Sequence, residues 1–571
     1  MNPEVRLKAL VARGYLPREL PPAFTSRPFG EHVHDILLEW ERLGVFSRKT
    51  PGKVQTPFGK KFKSKSYSYK LTDTESELIS KPKRGYERRS IYLTHPVPQA
   101  VLSLEIARNW KIILKWLSRR RYSLDRLQFS GNFSSALDTI NFAAHAVKKS
   151  FIQGTSDWIV KTDINRFYPT IYTHSISWAA YGKEKVKQNI NLYSGSLADR
   201  LDGIVRACNR NQTVGIPIGP ETSRVIAEII SARIDDDFTK ICPDVAFNFA
   251  DRLQDDWFVG LETLEHAERV LASISSAYRG YGLEINGTKT SVERVISSHQ
   301  LEWKSELSAF LSHRPGTLKG SRLKEFLALS LKLQADNRSE SVVGYTISIL
   351  ENRIHRTPDP EEIESFLLKA AVVSPVSMDR ICSLLLNIDH HTKRISRKRV
   401  GQRFTRLAER ALINDNMYEL IWLIYSLRGL HVPLRSKEIC DGISEKCSSV
   451  TALLLLDMKK RGLCQRPLPE GDWVEAFRPE RVDADWVWLL AYESIRLGWL
   501  PDPKNLMDRP FFKAMNSRGV YFFDTTKKVY STKYELKRRK VVTQRKLKEV
   551  HDIMRVLRSI SLSDLDFEDY A

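Results

Sequence analysis

Two hydrophobic periods alternate along this chain, and each predicts its own kind of element. Asp157-Trp-Ile-Val-Lys-Thr162 is a short apolar run that predicts a strand delivering Asp163 at its end. Val245-Ala-Phe-Asn-Phe249 and Trp257-Phe-Val-Gly260 flank a polar turn, which predicts a hairpin with Asp255 and Asp256 near its tip. Residues 1–46 read as helical, and a further helix is expected over Gln99–Trp116. Past residue 320 the period becomes helical throughout. Amphipathic segments cover Leu323–Leu333, Val342–Ile354, Pro360–Ala371, Met378–Leu386, Phe404–Ile413, Tyr418–Leu427, Val450–Lys460 and Trp486–Leu497. Gly or Pro at 429, 433, 462, 498 and 501 separates them. The pattern predicts an α+β chain whose second half is an all-α, HEAT-like helical-repeat domain without strict repeat identity.

Composition adds a partner class. The chain has 571 residues, 42% of them hydrophobic, enough for two or more cores. Lys and Arg number 90 against 68 acids, a net charge of +22, which favours a polyanionic partner. The cations cluster. Arg48, Lys49, Lys53, Lys60, Lys61, Lys63, Lys65 and Lys70 are interleaved with Phe62, Tyr67 and Tyr69, a mixture suited to single-stranded nucleic acid or to a solvated loop. Arg394, Arg397, Lys398, Arg399, Arg403 and Arg406 form a second candidate face. The tail is basic around Tyr530 and Tyr534 and acidic toward Tyr570.

Cysteines 208, 242, 382, 440, 447 and 464 lack metal-ligand spacing, and His390-His391 has no companion cluster. Free thiols in a reducing compartment and no zinc are expected. The first residues carry an early acid and no sustained apolar core, so no signal peptide is expected. Ala452–Leu456 is bounded by Asp457 and Lys459, too short to span a membrane. These features predict a cytoplasmic protein with no membrane partner.

Three segments carry the chemistry. Ile159-Val-Lys-Thr-Asp163-Ile-Asn-Arg-Phe167-Tyr168, Gly215-Ile-Pro-Ile-Gly219-Pro-Glu-Thr-Ser223-Arg224 and Phe247-Asn-Phe-Ala-Asp-Arg-Leu-Gln-Asp255-Asp256 occur in this order. A bare Asp pair says little, since Asp235-Asp236-Asp237 reads as the solvated end of a helix. In order, the segments resemble motifs A, B and C of reverse transcriptases. The resemblance implies a fingers-palm fold and a catalytic triad of Asp163, Asp255 and Asp256. It also implies two Mg²⁺ ions, with Mn²⁺ as substitute, held by these acids with Ile164. Nucleotide contacts are implied for Ile164, Tyr168, Ile218, Gly219 and Lys289. Tyr168 would lie under the incoming sugar and exclude a 2′-hydroxyl. Lys289, in a motif D-like segment, would sit near the triphosphate as a proton donor. The cations of residues 81–121 would belong to the fingers.

Two departures narrow the family. Ile218 replaces the Gln usual in motif B and cannot hydrogen-bond through its side chain, and Leu253-Gln254 replaces an aromatic-x pair before the two acids. With the frame Asp163-Ile-Asn-Arg-Phe-Tyr-Pro-Thr, this is similar to the abortive-infection and related defence-associated bacterial reverse transcriptases. That resemblance implies synthesis of single-stranded DNA from dNTPs, primed on a tyrosine of the same chain and little templated, in antiphage defence, by a trimer or hexamer. Tyr67, Tyr69, Tyr521, Tyr530, Tyr534 and Tyr570 are the priming candidates. Alternatives are a templated retron- or intron-type enzyme copying a specific RNA, and a non-catalytic RNA-binding scaffold. The expected division is residues 1–90 as an N-terminal helical and basic segment, 91–310 as fingers-palm, 311–520 as the helical domain and 521–571 as the tail.

Overall fold

The chain is seen in a computed structural model that describes residues 1–49, 54–55, 61–62, 67–83, 86–130, 135–297, 302–313, 318–338, 340–351, 359–444, 448–527 and 544–555. At its centre is a four-stranded antiparallel sheet in the order Ser291–Arg294, Trp158–Thr162, Asp256–Leu261, Ala250–Leu253. Strand alternation divides its residues between two apolar faces. Val160, Val259, Trp257 and Ala250 join the main core, whereas Ile159 and Phe258 meet Ile152 of the helix Phe142–Gly154 in a small second cluster. That helix approaches so closely that a Cβ on Gly260 would lie 2.4 Å from an Ile152 methyl carbon. The helices Leu264–Arg279 and Glu221–Ile241 pack against each other, and the first of them lies on the central strands.

The hairpin differs from its sequence pattern in one respect. Phe247–Phe249 is a 3-10 turn, and the first strand is Ala250–Leu253. Asp251 and Arg252, which look like part of a polar turn, are fully buried strand residues with charged partners. The turn proper is Gln254-Asp255, closed by the Leu253–Asp256 pair, with Gln254 at φ +58°. The helix expected over Gln99–Trp116 is likewise broken at Asn109, giving Pro96–Arg108 and Trp110–Leu117.

A second hairpin, Glu77–Pro82 paired with Arg88–Leu93, bonds to the Ile218 carbonyl through Tyr92 N and packs against the helix Met417–Gly429. All eight helical segments read from the sequence are present, from Gly320–Asp336 to Trp488–Arg496. The early ones pack on near neighbours, as in a stack. Met417–Gly429 instead is buried from Met417 to Arg428 and packs against the helices Met378–Thr392, Arg397–Ile413 and Ser449–Lys460 and the strand Glu77–Pro82. A helix apolar on every side belongs in the middle of a domain.

The core is not divided as composition suggests. One contiguous cluster runs from Leu7 to Phe523. Phe24 and Phe523 form a backbone bridge, with Thr25 N donating to Phe522 O at 2.9 Å and Asp524 N to Ala23 O at 2.7 Å. Phe522 packs against Phe29 and Trp488, with ring centroids 5.5 and 5.1 Å away. Residues 521–524, grouped with the tail by composition, are therefore built into the core. Residues 544–555 are helical and dock on the segment before Phe142, with Asn141 Nδ2 donating to Glu549 at 2.8 Å.

Candidate active site

Each candidate acid lies at or beside a strand end. Asp163 follows Thr162, which pairs with Trp257, so the register brings Asp163 level with Asp256 at the mouth of the sheet. Asn286 N donates to Asp163 O at 2.7 Å, and Asn165 N to Glu284 O at 2.8 Å, fixing the backbone on both sides of Ile164. Ile164 is buried, and its backbone bridges to Ile285.

Asp163 and Asp255 lie within hydrogen-bonding reach of each other. Burial, the charge of Asp256 and that of Asp163 push the Asp255 carboxyl up to about 8. Asp163 is held below the usual carboxylate range: burial opposes this, but the hydrogen bond from Lys289, then that from Asp255, prevails. Lys289 pairs directly with Asp163 through Nζ.

The expected three-acid metal cluster is only partly formed. Among the described residues no group of three or more His, Cys, Asp or Glu side chains is arranged to hold a metal ion. Asp256, the first residue of its strand, is exposed, while Asp255 stands in the turn. The Asp163–Asp255 pair nevertheless fits a divalent cation by its donor chemistry, because two converging hard carboxylates repel each other until a cation comes between them.

A buried ionic frame holds the turn, and sequence reading missed it. Arg252 Nε donates to Asp235 Oδ1 at 2.6 Å, Nη2 to Asp235 Oδ2 at 3.0 Å and to Glu228 Oε1 at 2.8 Å, and Nη1 to Glu228 Oε2 at 3.2 Å. Nη1 also donates to Gln254 O at 2.7 Å, the carbonyl next to Asp255. The planar fork of arginine makes so many simultaneous bonds feasible. Asp235 is fully buried, correcting its reading as a solvated helix end; Asp236 and Asp237 pair with Arg233 and Lys240 nearer the surface. Behind the strand, buried Asp251 accepts from His145 at 2.8 Å, with Lys148 3.9 Å away. The one signal in the sequence was Asp-Arg inside an otherwise apolar run.

Motif B begins by pairing with the end of motif A: Ile216 N donates to Tyr168 O at 3.0 Å and Gly215 N to Ile171 O at 2.8 Å. Gly219 has φ +138°, and a Cβ there would lie 2.9 Å from Tyr92 O, so conformation and space both require glycine. Ile218 is partly buried against the core, and its carbonyl accepts from Tyr92 N at 2.7 Å. The helix that follows is tied down by Glu221, which accepts from Leu137 N at 2.6 Å and pairs with Arg18, and by Arg224, which pairs with Asp125.

Tyr168 is half-buried with its ring edge-on to Phe167, centroids 5.6 Å apart. Burial, then the charge of Asp255, raises its hydroxyl far above the ordinary tyrosine range, while Arg224 and Arg89 pull it down. Phe167 is core. Arg89 is exposed and forms no ion pair among the described residues, and Lys83 exerts its charge on Asp163. Lys83 also pairs with Glu87 at 3.4 Å. Arg119 and Arg120 instead bond backbone carbonyls.

The other sequence candidates divide. Tyr67 and Tyr69 both donate to Glu105 Oε1, at 2.6 and 2.8 Å, and the Arg200 guanidinium lies 4.0 Å from the Tyr67 ring centre. Their hydroxyls are tied down rather than free to enter a cleft. Tyr521 is half-buried beside Arg496. Tyr530, Tyr534, Tyr570, Cys447, Lys53, Lys60, Lys63 and Lys65 lie outside the described residues. Of the second basic cluster, Arg394, Arg397 and Arg399 pair with Glu361, Asp389 and Glu364, which removes much of its free charge. No helix among the described residues is long and apolar enough to cross a membrane.

Two telomerase structures from Candida tropicalis are similar to this chain. The apo form shows 12% identity over 78% of this chain and 77% of that one, with a TM-score of 0.28. The complex with the TWJ fragment of telomeric RNA shows 13% identity over 76% and 68%, with a TM-score of 0.28. No curated protein matches the sequence. Residues 110–325 match the family described as Reverse transcriptase (RNA-dependent DNA polymerase), a span that contains all three acids, Tyr168, motif B and Lys289. The chain therefore carries a reverse transcriptase domain and is an enzyme of the RNA-directed DNA polymerase type.

Proposed function

We propose that this protein makes DNA from dNTPs with two Mg²⁺ ions, primed on its own chain and weakly templated or untemplated, as part of antiphage defence. The observation that supports this most is the meeting of Asp163 and Asp255 beside Tyr168, with apolar Ile218 in motif B. Divalent ions held by Asp163, Asp255 and Asp256, with the backbone at Ile164, would supply charge neutralisation for the triphosphate and a lowered pKa for the attacking hydroxyl. The remaining tasks fall to this chain's residues. Tyr168 limits the space beneath the sugar. Arg89 and Lys83 present cations toward the same mouth, and Lys289, once released from Asp163, has an ammonium proton for the departing pyrophosphate.

Ile218 offers no side-chain hydrogen bond to a nascent pair, which favours synthesis without close template reading. A tyrosine hydroxyl of the same chain would make initiation unimolecular. The bonds of Tyr67 and Tyr69 to Glu105 count against them and leave Tyr521, Tyr530, Tyr534 and Tyr570.

The test is incorporation of radiolabelled dNTPs by nuclease-treated protein without added primer. Labelled DNA should remain on the protein through denaturation and phenol extraction and be released by protease. Free DNA only, or dependence on an added oligonucleotide, would establish conventional templated priming instead.

A further inference from the structure

The buried ionic frame around Arg252 reaches beyond the turn it holds. Glu228 and Asp235 lie about two turns apart on the helix Glu221–Ile241, hence on one face of it. Both are buried, and both bind the Arg252 guanidinium. Asp235 is fixed in turn by the loop before the sheet, since Arg121 N donates to its Oδ2 at 3.1 Å. The same loop fixes the Arg252 backbone, whose N–H donates to Tyr122 O at 3.1 Å. Main chain and guanidinium of Arg252 are thus clamped together, and from this clamp Nη1 reaches the Gln254 carbonyl at 2.7 Å.

That carbonyl belongs to the peptide that enters Asp255. A peptide is planar, so holding its oxygen also fixes the nitrogen and Cα of Asp255. Gln254 stands at φ +58°, a conformation that residues with a side chain rarely adopt, and the bond from Arg252 acts on this strained position. We propose that Glu228, through Arg252, is a positioning residue for Asp255: the helix that begins in motif B sets the turn so that the Asp255 carboxyl converges with that of Asp163, ready for a divalent cation. The inference rests on the two-metal polymerase reading above. Ligands already in place avoid the cost of ordering them on binding, and loss of a partner that orients a metal ligand lowers metal affinity about 10- to 100-fold.

Glu228→Gln keeps the side chain's shape and removes its charge, so Arg252 loses one of the two carboxylates that aim it. Binding of Mn²⁺ to the full chain without nucleotide, read by electron paramagnetic resonance, should weaken about tenfold. The Mg²⁺ concentration for half-maximal dNTP incorporation should rise by about the same factor, and saturating Mg²⁺ should recover the rate. Arg252→Lys keeps a cation but loses the fork, and should weaken Mn²⁺ binding at least as much. A contact that only stabilised the fold would lower the melting temperature and leave the Mn²⁺ midpoint in place. A folded Glu228→Gln protein with native Mn²⁺ affinity and a native Mg²⁺ midpoint would overturn the proposal while leaving the polymerase reading intact. Should that variant fail to fold, the same result with folded Arg252→Lys would do so. Native protein that neither binds Mn²⁺ nor incorporates dNTP would overturn both.

Discussion

Arg252 and Asp255 are three positions apart and show opposite uses of burial. Arg252 spends its whole fork on Asp235, Glu228 and the Gln254 carbonyl, so its charge is compensated and the turn is fixed. Asp255 stands beside the like charges of Asp256 and Asp163. The outcomes of substitution should differ accordingly. Arg252→Met leaves Asp235 and Glu228 buried without their cation, and urea unfolding should show a loss of about 3–5 kcal/mol. Asp255→Asn with Asp256→Asn should abolish incorporation, because amides bind Mg²⁺ far more weakly than carboxylates, yet leave the melting temperature unchanged or raised. Normal incorporation by that double variant would remove these acids from the chemistry. On the proposed reading, in which the Tyr168 ring limits space beneath the sugar, Tyr168→Ala should relax a preference for dNTP over rNTP, measured as the ratio of kcat/KM values. The acids were legible in the sequence because chemistry dictates their spacing from strand ends. Arg252 was not, because a buried ion pair and a polar turn share the same letters, and only the fold reveals which acids face the guanidinium.

At the scale of elements, the hairpin Glu77–Pro82/Arg88–Leu93 carries a pH signature. Burial pushes the Glu77 carboxyl up to about 7, against the pull of Ser448, Ser449 and neighbouring backbone groups. Its ordinary value is 4.5, so the folded state binds this proton more tightly than the unfolded one. The stability it contributes is therefore present at low pH and lost as pH rises through about 7, roughly 3 kcal/mol across the interval. Glu77→Gln should remove that fall: its melting temperature should exceed the native one at pH 8, with the advantage vanishing near pH 5. Equal pH profiles for both proteins would show that Glu77 titrates normally. Helices were the most legible elements, since a 3.6-residue apolar period survives any tertiary arrangement. The strand at Ala250–Leu253 was less so. Its charged residues turn inward to partners on other elements, and the apolar Phe247–Phe249 before it forms a turn.

The molecule as a whole resists the partition that composition suggested. A basic stretch, a mixed α/β region, a helical region and a tail are distinct in the sequence, yet one apolar core runs through them from Leu7 to Phe523. Salt dependence counts only the cations that meet phosphates, and Arg394, Arg397 and Arg399 are committed to acids, while the net charge of +22 already subtracts every acid. Retention of product through backbone charge should therefore show a salt dependence smaller than the net charge alone would give, measurable as the slope of log affinity against log salt concentration.

The backbone bridge between Phe24 and Phe523, together with the grip of Glu419 on Arg88, sets an order of events during synthesis on the ribosome. The reverse transcriptase segment emerges first, but the hairpin Glu77–Pro82/Arg88–Leu93 lacks its anchors until Glu419 and Ser448 have been translated, and the N-terminal helices lack theirs until Phe522 has followed. At ~5–20 residues per second, the palm waits tens of seconds with its acids made and its mouth unfinished. A chain truncated before Met417 is therefore expected to incorporate less dNTP than the full chain, a difference the radiolabel assay would read.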